Sequence, residues 1–138
     1  MDGGEFALHH RLGADTAPLG DLPLCRVLLM DNAAWPWIVL VPRRPALREF
    51  HDLPAPDRAA LMEEIAAASK AMAALPGTTK VNVGMLGNIV SQLHIHVVAR
   101  REGDPNWPGP VWGFGSPARY APGARDRLAA SVREGLGI

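Results

Sequence analysis

The sequence has one cysteine, Cys25, and no Cys-x-x-Cys pair, so an internal disulfide is excluded. It has no surplus of either charge: 14 basic residues balance 14 acidic ones. A strongly electrostatic nucleic-acid binder would carry a basic excess, so nucleic acid is not an expected partner. It has no long apolar run, so neither a transmembrane helix nor a membrane partner is expected. The N-terminal stretch, with Asp2, Glu5, His9 and Arg11, lacks the basic-then-apolar layout of a signal peptide. Internal repeats are also missing. These absences leave a cytoplasmic protein. Its 138 residues, 48% of them hydrophobic, suffice for one domain, 1–138, with a core of its own.

What is present reads as alternating short apolar runs and breakers. Phe6, Leu8 and Leu12 suit one or two helical turns, and Asp15 to Pro23 reads as loop because Pro18, Gly20 and Pro23 interrupt it. Leu24 to Met30 and Trp37 to Val41 are strand candidates joined by a short turn, so they should pair antiparallel. Pro42 to Pro45 ends the second. Leu61, Ile65, Ala68, Met72 and Leu75 recur at helical spacing and predict a helix from Pro56 to Ala74, stopped by Pro76-Gly77, with Met62 and Met72 as core filler. Lys80 to Gly84 predicts a short strand and Ala124 to Leu136 a closing helix. Between them, Asp104 to Gly113 is too rich in Gly and Pro for regular structure. We expect its Trp107 and Trp112 to be partly buried against the sheet end or a partner, closing the rim of a site.

The stretch richest in chemistry is Gly87-Asn-Ile-Val-Ser-Gln-Leu-His-Ile-His-Val-Val-Ala-Arg100. Ile89 to Val98 reads as a strand, and alternation then puts Gln92, His94 and His96 on one face. Taken alone, two histidines at period 2 admit three readings. They can be solvent-facing residues of an antiparallel sheet. They can be metal ligands, although His9, His10, His51 and Cys25 offer no recognisable ligand spacing. They can serve phosphorus chemistry, since a neutral imidazole attacks phosphorus and leaves well afterwards.

The string Gln92-Leu-His94-Ile-His96-Val-Val98 resembles the signature of the histidine triad family of nucleotide hydrolases and transferases, His-φ-His-φ-His-φ-φ with φ apolar. The second and third histidines match and Gln92 replaces the first. Cys25 to Asp31, Trp37 to Pro42, Arg44 to Leu53 with the helix after it, and Lys80-Val-Asn82 resemble further family segments in the family's order, over about residues 20–115. The resemblance implies an α+β fold: about five mostly antiparallel strands, one long helix and a short C-terminal helix. It implies His94 as the nucleophile that becomes nucleotidylated at an α-phosphate. His96, Asn82, Gly87 and Asn88 would contact phosphate, and Asp31 would bind the ribose hydroxyls. It also implies a nucleotide substrate, a homodimer, and no required metal or cofactor.

Two positions depart from the family pattern. Gln92 can donate an amide hydrogen to phosphate but cannot ionise, and Trp37 stands where family enzymes usually place another histidine. The expected activity is cleavage of nucleoside phosphate esters, anhydrides or phosphoramidates, with a non-catalytic nucleotide-binding protein as the alternative. Trp35 and Trp37 are either core aromatics or the wall of a base pocket. His51, Arg43 and Arg44 are read as surface residues without a catalytic role.

Overall fold

The computed structural model describes residues 4–138. Its elements in chain order are α1 (His10–Ala14), β1 (Thr16–Asp21), β2 (Cys25–Met30), β3 (Trp37–Pro42), α2 (Ala55–Ala73), β4 (Lys80–Gly84), β5 (Ile95–Arg100) and α3 (Ala124–Leu136), with a 3-10 turn at Phe50–Asp52. The five strands form one sheet in the order β1-β2-β3-β5-β4, every neighbouring pair antiparallel. This is the α+β architecture expected from the sequence.

Strand β1 was expected as loop. It pairs with β2 from Thr16 opposite Met30 to Asp21 opposite Arg26, with a bulge between Pro18 and Gly20. It lies at the sheet edge, where a proline's missing N–H breaks no ladder on the open side. Gly20 takes φ +145°, a conformation that side chains rarely adopt, at the bulge.

The two faces of the sheet carry different loads. One packs under α2 and α3, where Val27, Leu29, Ile38, Leu40, Ile95 and Val97 meet Leu61, Ala68, Met72 and Val132. Leu61 and Met72 are fully buried, so truncating either to alanine should cost ~2–5 kcal/mol. Met62 was expected in this core but is 42% exposed, because it falls on the outer side of α2. Glu64 occupies a core-facing position instead, and its carboxylate accepts the N–H groups of Leu24 and Cys25, both at 2.8 Å. Two backbone donors meet the buried charge and fix the start of β2 against the helix. Burial first, and then Glu64, push the Cys25 thiol far above its usual range.

On the other face, Leu28, Trp37, Val39, Val41 and Val98 are covered by Leu12 of α1, Trp35, Val90 and Val111. Loops and the N-terminal arm with its short helix α1 cover this face, which is the one that holds the site.

The segment expected as the first half of the histidine strand is irregular: β5 begins at Ile95, and residues 89–94 join no ladder. The run Ile89-Val90 has strand propensity, but tertiary partners override it. Leu93 N–H donates to Leu47 O at 3.0 Å, and Gln92 is held by the N-terminal arm.

Candidate active site

His96 sits within β5, opposite Val39 of β3 and Gly84 of β4, so its side chain rises from the middle of the sheet on the loop-covered face. His94 stands just before the strand. The two rings lie edge to face with centroids 4.9 Å apart, and both residues are buried. They line a cavity of about 820 Å³, together with Trp37, Asp31, Asn32, Gly87, Asn88 and Trp112.

Their hydrogen bonds assign the ring nitrogens. His94 Nδ1 lies 2.6 Å from Gln92 O. A carbonyl only accepts, so Nδ1 carries the hydrogen and the lone pair is on Nε2. Trp37 Nε1–H donates to His96 Nδ1 at 3.0 Å. An indole only donates, so His96 keeps its hydrogen on Nε2. Both residues line the cavity, one with its ring lone pair on Nε2 and the other with its ring hydrogen there. Burial, and then the neighbouring His94, push the His96 pKa from 6.5 down to about 3. A protonated His96 would also have no lone pair left for Trp37. The site therefore presents a nucleophilic nitrogen beside a neutral N–H.

Of the residues singled out in the sequence, His94, His96, Asp31, Gly87 and Asn88 surround this one cavity. Gly87 takes φ +74° at the turn that brings its loop over the histidines. Gln92 and Asn82 do not line it. The Gln92 amide bonds the N-terminal arm: its Oε1 accepts from His9 N–H at 2.8 Å and its Nε2 donates to Ala7 O at 2.9 Å. Asn82 does lie on the sheet face of His96, opposite Val98, but its Oδ1 accepts from Arg100 at 3.0 Å.

Arg100 carries no mark of burial in the sequence, where an arginine at a strand end reads as solvated. It is 1% exposed and makes a two-pronged ion pair with Asp104, at 2.9 and 2.8 Å, while also bonding Gly109 O. It thereby folds the 104–110 loop back onto the sheet. Trp107 covers Arg100, with the guanidinium carbon 5.4 Å from the ring centroid, whereas Trp112 packs 5.6 Å from the His96 ring. Only Trp112 of the two reaches the cavity. A side chain at Gly84 would lie 2.9 Å from the Trp112 ring, so the small residue makes room for it. Trp37 walls the cavity, while Trp35 is a core aromatic anchored by its own N–H to Pro105 O at 3.0 Å. Arg44 pairs with Asp57 and Arg43 donates to Leu22 O, both away from the cavity, and His51 is exposed. Among the described residues no three His, Cys, Asp or Glu converge as metal ligands.

The paired imidazoles, their cavity and the strand order invite comparison with known proteins. The HIT domain family matches residues 12–103, two thirds of the chain. The chain belongs to the histidine triad family. A histidine triad protein from Sinorhizobium meliloti 1021, known from its crystal structure, is 46% identical, with 95% of this chain and 97% of that one covered and a TM-score of 0.92. Histidine triad proteins from Marinobacter aquaeolei VT8 (46% identity, 97% and 98% covered, TM-score 0.93) and Bradyrhizobium japonicum (42%, 96% and 98%, 0.93) are similarly alike. A comparison with curated proteins found no match. In this histidine triad chain the indole of Trp37 holds His96. No helix of the described residues is long and apolar enough to cross a membrane.

Proposed function

We propose that the protein is a nucleotide hydrolase or transferase that cleaves at the α-phosphate of nucleoside phosphate esters, anhydrides or phosphoramidates. The observation that carries this reading is the bond from His94 Nδ1 to Gln92 O, which leaves the lone pair on Nε2 of a residue lining a cavity large enough for a nucleotide. In the first step Nε2 of His94 attacks the α-phosphorus. The P–N bond forms, the bond to the leaving group breaks, and the leaving group departs with the electron pair. The positive charge developing on the ring is met by Gln92 O at Nδ1. The Nε2–H of His96 donates to a phosphoryl oxygen as charge builds there. In the second step water or another acceptor attacks the phosphorus, the P–N bond breaks, and the pair returns to Nε2. The attacking oxygen's proton passes to solvent.

Asp31 is assigned to the ribose hydroxyls, and Gly87 and Asn88 to the phosphate. The chemistry as written draws on protein groups alone. We read the protein as cytoplasmic and as a homodimer; the open edge of β4, with Val83 and Met85 exposed, supports pairing with a second copy. The test is incubation with an adenosine phosphoramidate and with a dinucleoside polyphosphate. Release of nucleotide by the native protein and none by His94→Asn supports the proposal. Binding without release by the native protein would establish the non-catalytic alternative.

A further inference from the structure

The cavity has little positive charge for an anionic substrate. Its ionisable walls are Arg11, Asp15, Asp31, His94 and His96, and Arg11 is the one lysine or arginine among them in the described residues. The Trp37 bond requires His96 to be neutral. Asp15 and Asp31 share the cavity, yet neither forms an ion pair with Arg11, whose guanidinium has no hydrogen-bonded partner among the described residues. The free guanidinium of a residue lining that cavity matches a phosphate's paired oxygens.

Arg11 is also held in place. Its helix, α1, docks through the buried Leu12, and its own N–H donates to His9 Nδ1 at 3.1 Å. The N–H of His9 and the carbonyl of Ala7 are in turn gripped by the two ends of the Gln92 amide. The carbonyl of the same Gln92 receives His94 Nδ1. One residue thus ties the nucleophile to the arm that carries the cation.

We propose that Arg11 is a specificity-determining residue that binds an anionic phosphate next to the one attacked, and that Gln92 is the positioning residue that clasps the N-terminal arm around the substrate. This rests on the nucleotide reading above. It gives the residue standing at the first histidine of the signature a mechanical role in place of an acid–base one. It also favours substrates with a second phosphate over those with a neutral group on the α-phosphate.

The experiment is calorimetric titration with three probes: adenosine monophosphate, α,β-methylene adenosine diphosphate and inorganic pyrophosphate. The proteins are the native chain, R11Q, R11K, Q92L and R11Q with Q92L. Losing one charge-assisted contact should weaken the methylene diphosphate and pyrophosphate about tenfold in R11Q, and the monophosphate by less than about threefold. R11K should recover part of the loss, because it keeps the charge without the fork. Q92L should weaken the methylene diphosphate in the native background and add little on top of R11Q. Equal, additive losses for all three probes would make Gln92 merely structural. R11Q binding the methylene diphosphate as tightly as the native chain would overturn the role of Arg11. If pyrophosphate binds in an Arg11-dependent way and neither nucleotide binds, the nucleotide reading falls and Arg11 stands; if none of the three binds, both fall.

Discussion

His96 should make the protein acid-sensitive in a pH range where carboxylates contribute nothing. Its pKa is lowered from 6.5 to about 3, by burial first and by His94 second. Between these limits the unfolded chain binds a proton at this position and the folded chain does not. Stability therefore rises with pH across the window, and is lost as pH falls below 6.5. Each pH unit inside the window is worth about 1.4 kcal/mol. From pH 6.5 to 5.0 that amounts to ~2 kcal/mol, with no discount for solvent because the side chain is buried. For a chain of this length the loss corresponds to a fall in Tm of roughly 6–10 °C. Asp104 does not confuse the measurement. Burial raises its carboxyl, but the bonds from Arg100 and Arg101 outweigh that and hold it below 3.8, so it acts only in stronger acid. The assay is thermal unfolding at pH 6.5 and 5.0 for the native protein and for His96→Asn, which removes this proton site and leaves the others. The native protein should lose the stated Tm and the variant clearly less. Equal losses in the two would refute the assignment of a neutral His96 locked by its surroundings.

Three further outcomes follow from the same contacts. Trp37→Phe removes the donor to His96 Nδ1 and frees the second tautomer. A net hydrogen bond of ~1 kcal/mol predicts kcat down about fivefold and a shallower acid loss of stability, readable in a pH–rate profile and in melts; an unchanged profile would show that the indole is only packing. Asp104→Asn leaves the guanidinium of Arg100 buried beside a neutral partner. It should cost ~3–5 kcal/mol by denaturant titration, and a loss below 1 kcal/mol would contradict the view that this pair pins the 104–110 loop. Gly84→Ala should push the Trp112 ring off its seat beside His96, raising KM more than it lowers Tm.

How much of this was readable from the sequence divides along physical lines. Strands β2, β3 and β4 and helices α2 and α3 follow from apolar runs and helical spacing, which are local properties. The histidine pair was legible because its spacing is itself the signal. Strand β1 was not, because Pro18 and Gly20 read as breakers unless one knows that the segment lies on a sheet edge. The segment from Ile89 to His94 has strand propensity, but the contacts that keep it irregular come from Leu47, Ala7 and His9, far away in the sequence. Gln92 was expected to face a phosphate because the strand was expected to run through it; its amide turns to the arm instead. Glu64 and Arg100 carry no sequence mark of burial, since what licenses each is a set of partners supplied by the fold. The opposite hydrogen placement on the two imidazoles depends on one carbonyl and one indole, and only their geometry assigns it.

The most direct test of the central claim is detection of the covalent intermediate. The native protein is mixed with an adenosine phosphoramidate, quenched in alkali within the first turnover, digested and weighed by mass spectrometry. A nucleotidyl adduct on the peptide containing His94, localised to His94 and absent from His94→Asn, is the predicted result. Turnover of the same substrate with no adduct at any time point, or with an adduct on His96, would contradict it.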